Sequence, residues 1–237
     1  MQKNVNVDVK ELKKFEDLSQ HWWDLEGPLK TLHDINMVRI NYIQTQLNKR
    51  PERILDLGCG GGILTESLYV LGNEVVGIDM AKNVVQVAQD HAAEKNLKIQ
   101  YLNESAEQHA ENPSNQYDLI VCMECLEHVP DISSIFKACH ILLKPEGLLI
   151  LSTINRTFKA FALGIVAAEH VLKIVPKNTH EYKKFIKPNE LDEWLQAENL
   201  LLKNTQGLHY NPFTRQAKLS QDLSINYFAT AMKSSCN

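Results

Sequence analysis

The chain has 237 residues, 44% of them apolar and 23% charged, and a net charge of -4. That length is enough to bury one full core, and the acidic balance argues against a general nucleic-acid binder without ruling out a local basic patch, so no nucleic acid is expected as a partner. Five cysteines, a polar N-terminal stretch without a signal-like apolar core, and no apolar run near the roughly 18 residues that span a bilayer predict a cytoplasmic protein with free thiols.

Lys10 to Trp23 carries Leu12, Phe15, Leu18, Trp22 and Trp23 at helical spacing. Leu32 to Leu47 repeats the pattern through Ile35, Val38, Ile40, Ile43 and Leu47, so two helices precede the first strand. Arg53 to Leu57 reads as a buried strand, followed by a helix over 63–71, a strand from Glu74 to Ile78 closing at Asp79, and a helix from Asn83 to Lys95. Ile99 to Leu102 is a short strand, Asp118 to Met123 a central one, and Ile132 to Leu143 a helix. Lys144-Pro145-Glu146-Gly147 is a turn, and Leu148 to Ser152 is another buried strand. The rhythm breaks over 157–187, then resumes with a helix from Pro188 to Glu198 and closing strands over Leu200 to Gln206 and Ser224 to Met232. Strands alternating with helices predict an α/β fold with a doubly wound, mostly parallel sheet. The chain divides as a single domain over 1–237: an N-terminal helical cap (1–50), a cofactor-binding core (51–156), a lid insertion (157–187), and a closing helix and strands (188–237).

The first strand runs into Gly58-Cys59-Gly60-Gly61-Gly62. Strand, glycine turn, helix lets a backbone lie against a nucleoside-bearing ligand. The dinucleotide pattern Gly-x-Gly-x-x-Gly fails in both registers, because Ile63 or Thr65 stands where the third glycine belongs. No Lys-Ser/Thr pair follows, which excludes the P-loop. What remains is Asp-x-Gly-x-Gly-x-Gly, from Asp56 through Gly58 and Gly60 to Gly62. Asp79 lies 21 residues past Gly58, at a strand end where a carboxylate can accept both ribose hydroxyls or cap the next helix.

Glu124, Glu127 and His128 follow the central strand at spacing i, i+3, i+4. One helical turn would put them on one face, where they could hold a divalent ion, or His128 could act as a base. Cys122-x-x-Cys125 reads as a redox pair or as packed thiols; the strand pattern around Cys122 favours packing, and no second pair completes a zinc site.

Asp-x-Gly-x-Gly-x-Gly resembles the first motif of class I S-adenosylmethionine methyltransferases. Phe15-Glu16, Trp22-Trp23-Asp24, Leu32-His33, Arg39, Ser152-Thr153, Val175-Pro176-Lys177, Lys184-Phe185-Ile186-Lys187-Pro188 and Gly207-Leu208-His209-Tyr210-Asn211-Pro212 narrow this to bacterial ubiquinone-biosynthesis O-methyltransferases, and the resemblance runs from Phe15 to Tyr227. It implies a Rossmann-like fold and S-adenosyl-L-methionine as methyl donor. It assigns cofactor contacts to Arg39, Asp56, Gly58, Gly60, Asp79, Ser105, Ala106 and Met123. Arg39 would clamp the methionine carboxylate, and Asp56 would hold the cationic amino group. It gives Glu124, Glu127 and His128 to a divalent metal such as magnesium, with His128 and Glu127 as catalytic residues.

The implied substrates are polyprenylated phenol and catechol intermediates, 2-polyprenyl-6-hydroxyphenol and 3-demethylubiquinol. Their oxygen must lose a proton before it attacks, either on a chelated metal or to His128 as general base. The apolar Phe161–Val175 stretch and the lysines after it read as a contact with a membrane surface through 161–187, peripheral on the inner membrane, or as a lid helix. A place in a biosynthetic complex is a further expectation. The competing readings are an O-methyltransferase for another small phenol and an inactive cofactor-binding scaffold subunit.

Overall fold

The computed structural model describes residues 6–72, 74–161 and 182–234. Most of the lid insertion, 162–181, therefore lies outside the described residues, including the greater part of Phe161–Val175 and Val175-Pro176-Lys177.

Helix α1 (Val9–Leu18) starts at an Asp8 cap whose side chain accepts the Lys10 and Glu11 backbone N–H groups. The helix expected through Trp23 gives way to a 3-10 turn over Ser19–His21. Helix α2 (Lys30–Gln46) precedes the first strand, as the periodicity predicts. The alternating region then gives β1 (Arg53–Leu57), α3 (Ile63–Leu68), β2 (Glu74–Asp79), α4 (Lys82–Glu94), β3 (Gln100–Asn103), α5 (Ala106–His109), β4 (Tyr117–Met123), α6 (Ile132–Leu142) and β5 (Leu143–Ile154). A short helix α7 (Phe158–Ala160), α8 (Pro188–Ala197), β6 (Leu200–Asn211), β7 (Gln216–Ser220) and β8 (Asn226–Lys233) complete the described chain.

All eight strands form one sheet in the order β3-β2-β1-β4-β5-β8-β6-β7. The first five are mutually parallel, and β8, β6 and β7 add antiparallel. The strand order reverses between β1 and β4, and the carboxyl edge at that point is where open α/β sheets bind ligands.

Two findings depart from the sequence reading. Lys144 to Gly147 bulges out within β5: Leu143 pairs with Tyr117 and Leu148 with Leu119, and Glu146 takes a left-handed φ of 61°. The last strands are longer and more numerous than expected, since β6 runs on to Asn211 and turns back as β7. β7 is only five residues long, and Ala217 and Leu219, alternating with polar neighbours, are too few to stand out in the sequence.

The sheet is covered on both faces. Ile54, Val75, Leu119, Val121 and Met123 meet Ile35, Tyr42 and Ile43 of α2 and Leu64 and Leu68 of α3. Leu55, Val76, Ile78, Ile120 and Cys122 meet Ile135, Phe136 and Leu142 of α6 and Leu191 and Leu195 of α8. Neighbouring residues of a strand fall into opposite clusters, as the strand period of two requires. Helix α2 is thus a layer of the domain and not only a cap. Each such buried side chain contributes roughly 1.5–3 kcal/mol.

Candidate active site

The carboxyl ends of β1, β2 and β4 and the segment after β3 open onto one cavity of about 550 Å³. Arg39, Asp56, Gly58, Gly60, Asp79, Ser105, Ala106, Met123, Glu124, Glu127 and His128 all line it. Every site residue predicted from the sequence is therefore brought to one place, from six different elements.

The glycine loop has Gly58, Gly60 and Gly62 at φ 76°, 53° and 90°, which side-chain-bearing residues rarely adopt. Its close neighbours within the protein are aromatic and sulfur side chains. A Cβ on Gly60 would lie 2.2 Å from the Trp22 ring, and one on Gly58 2.8 Å from Cys125 Sγ. Trp23 Nε1 donates to the Gly61 carbonyl at 3.0 Å, and its ring stacks on His91. The Trp-Trp pair thus clamps the outside of the loop.

Asp79 braces the glycine loop and also faces the cavity. It accepts from Gly60 N at 3.0 Å and from Ala81 N at 2.8 Å, bracing the loop against the start of α4, and it lines the cavity. Burial raises its pKa, partly offset by those backbone donors. Asp56 is almost fully buried and accepts from Thr65 Oγ1 at 2.6 Å. Burial pushes its carboxyl up to about 7, against the opposing pull of that hydroxyl and of Arg39. Ser105 caps α5 through a reciprocal bond pair with Gln108, which aims the Ser105–Ala106 backbone at the cavity.

Arg39 stands on α2 and is 4% exposed, which settles it as an interior group and not a surface arginine. Its Nη2 donates to Glu124 Oε2, and its Nε is buried with no partner among the described residues. A buried guanidinium in the wall of a cavity fits a carboxylate ligand.

The expectation that Glu124, Glu127 and His128 share one helical face is not met. Glu124 takes a left-handed φ of 48° and lies before the 3-10 turn formed by Leu126–His128. Its carboxylate turns to Arg39 and to Ser152, whose hydroxyl donates at 2.6 Å. Glu127 is buried and accepts from Thr153 Oγ1 at 3.0 Å, while its Oε1 has no partner among the described residues. Burial raises the Glu127 pKa. His128 Nδ1 meets Glu11 Oε2 at 2.9 Å. Among the described residues no group of three such side chains is assembled to hold a metal ion. As arranged, each turns to a different partner, so the three are not gathered around one point.

Cys122 is fully buried and Cys125 is half-buried against Gly58; no disulfide joins them. The neighbouring Cys125 thiol and burial hold Cys122 well above the ordinary thiol range, so Cys122 reads as a packing residue.

The sequence reading missed Glu11. The signal was present: Glu11, Phe15, Leu18 and Trp22 follow helical spacing, so one acid interrupts an apolar stripe. The Gly-Leu-His-Tyr-Asn-Pro segment is the end of β6, where Leu208, Tyr210 and Pro212 line the cavity and Tyr210 Oη donates to Asp34 at 2.7 Å.

Comparison with known proteins adds to this geometry. A methyltransferase-domain family profile matches residues 34–204. A protein of Nitrosococcus oceani described as a ubiquinone biosynthesis O-methyltransferase is 47% identical over 229 residues, covering 97% of both chains. Its counterpart in Aliivibrio fischeri is 46% identical over 228 residues, 96% of this chain and 97% of that one. Among solved structures, a magnesium protoporphyrin IX methyltransferase from Synechocystis with bound SAH superposes with a TM-score of 0.69 at 17% identity, over 94% of this chain and 95% of that one. That last likeness concerns the fold alone. No described helix is long and apolar enough to cross a membrane.

Proposed function

The chain belongs to the methyltransferase-domain family and, within it, to the ubiquinone biosynthesis O-methyltransferases, and we propose that it methylates phenol and catechol hydroxyls of polyprenylated intermediates from S-adenosylmethionine. The two steps in view are those on 2-polyprenyl-6-hydroxyphenol and on 3-demethylubiquinol. The observation that carries the cofactor reading is the convergence of a buried Arg39, a buried Asp56 and the strand-end Asp79 on one cavity beside the glycine loop.

When bound, the cofactor supplies a methyl group already activated on a sulfonium. Arg39 would take its carboxylate, a role now filled by Glu124, and Asp56 its ammonium. Asp79 would accept the ribose hydroxyls on lone pairs left over from its two backbone bonds. Ser105, Ala106 and Met123, which line the cavity, would form the wall against the adenine.

The protein's remaining task is alignment and removal of one proton. His128 is the general base in this reading, and the buried Glu127, which accepts from Thr153, backs the cavity wall beside it. No step is assigned to a metal, because Glu124 is engaged by Arg39 and Ser152 and no three such side chains are gathered on one point among the described residues.

The test is methyl transfer to a short-chain demethylubiquinol analogue. His128→Ala is expected to depress turnover by about 10²-fold or more, the usual contribution of a general base, with little change in cofactor affinity; unchanged turnover rejects the role. Activity that disappears on exhaustive chelation would reinstate the metal. Lipid contact through 161–187 is read by liposome flotation with and without that segment, where equal flotation rejects it.

A further inference from the structure

We propose that Glu11, on the N-terminal helix, is a positioning residue for methyl transfer: it holds the His128 imidazole with Nδ1 protonated and Nε2 open to the substrate hydroxyl. The proposal rests on His128 being the general base.

Four observations carry it. First, α1 presents two contacts to one ring. Glu11 Oε2 meets His128 Nδ1 at 2.9 Å, and Phe15 meets the same imidazole edge-on, with centroids 5.0 Å apart at 86°. Glu11 and Phe15 are four residues apart, so they share a helix face and act on His128 together. Second, Glu11 is itself held. Its Oε1 pairs with Lys14 at 2.8 Å and lies 3.5 Å from Lys184 Nζ, which leaves Oε2 directed at the ring. Third, Glu11 is 5% exposed in a wall otherwise built by Leu12, Phe15 and Leu18. A carboxylate is costly there unless its partners repay the desolvation.

Fourth, the geometry sets which ring nitrogen donates. With its Oε1 engaged by Lys14 and Lys184, Glu11 is the carboxylate of an ion-paired cluster and can only accept, so Nδ1 donates. The neutral ring then carries its lone pair on Nε2, and Nε2 has no partner among the described residues, in a side chain that lines the cavity. In the transfer step the hydroxyl oxygen bonds to the methyl carbon as the carbon–sulfur bond breaks with its electron pair on sulfur. The hydroxyl proton passes to Nε2, and the adjoining carboxylate stabilises the imidazolium so formed.

The contact spans 117 positions of sequence, so α1 must be seated before the base is oriented. The experiment compares wild type, Glu11→Gln and His128→Ala by three readouts. Two-bond proton–nitrogen correlation spectra of the ligand-free protein report the His128 tautomer. Calorimetry gives S-adenosylmethionine affinity, and single-turnover methyl transfer gives the chemical rate. Glu11→Gln keeps the volume and loses the charge. It is expected to erode the Nδ1–H tautomer and lower the chemical rate by about tenfold or more, with cofactor affinity within about twofold of wild type. An unchanged tautomer and rate in Glu11→Gln, with His128→Ala inactive, overturns the positioning role and leaves the base intact. Full activity in His128→Ala overturns the base reading beneath it. A rate loss that tracks weakened cofactor binding assigns Glu11 to cavity closure and also overturns the proposal.

Discussion

Lowering the pH from 8 to 6 should weaken S-adenosylmethionine binding by about tenfold, through Asp56. Its carboxyl is pushed up to about 7 by burial, with Asp79 and Glu124 adding repulsion and Thr65 and Arg39 opposing. The ligand's ammonium favours the ionised form, so binding expels whatever proton Asp56 still holds. With a pKa near 7, about a tenth of the free protein is ionised at pH 6 and about nine-tenths at pH 8. The ratio corresponds to about 1.4 kcal/mol of binding free energy over that interval. The sign is that affinity falls as pH falls through 7, then becomes flat above 8. Calorimetry in two buffers of different ionisation enthalpy reads the proton directly, and about half a proton should be released per ligand bound at pH 7. Asp56→Asn should bind weakly at every pH with no slope. Equal affinities at pH 6 and 8 in the wild type, or a slope that survives in Asp56→Asn, would refute the assignment of the ammonium to this carboxylate.

Two further substitutions test the scaffold. Gly60→Ala forces a left-handed residue at φ 53° and drives a Cβ to 2.2 Å from Trp22; urea unfolding should show a loss of about 1–3 kcal/mol, with weaker cofactor binding, and a wild-type midpoint would show that the loop relaxes freely. Tyr42→Phe removes the buried bond between Tyr42 Oη and Thr230 Oγ1, 2.9 Å long, that ties α2 to β8; about 1 kcal/mol of stability should be lost with methyl transfer unchanged.

Much of the core was legible because its periodicities are local. Ile54, Leu55, Leu119 and Ile120 alternate between the two packed faces, and a strand signature survives whatever the rest of the chain does. The edge strand Gln216–Ser220 was not legible, since a five-residue alternation with only Ala217 and Leu219 apolar is too short a signal until its pairing to Gly207–Asn211 is seen. The spacing of Glu124, Glu127 and His128 suggested one shared face. The left-handed turn at Glu124 breaks that geometry, and the backbone there answers to Ser152 on the neighbouring strand.

The sequence alone pointed to the nucleoside-ligand loop and the rejection of dinucleotides, and its family resemblance pointed to part of the cavity lining. The first two follow from short spacings, which a chain carries without folding. Only the tertiary structure decided what each charged side chain faces. Arg39 meets Glu124 across 85 positions and His128 meets Glu11 across 117. Such pairs depend on which helix is laid against which strand end. Their protonation states depend on burial, and burial exists only once the sheet and its helical layers have closed over them.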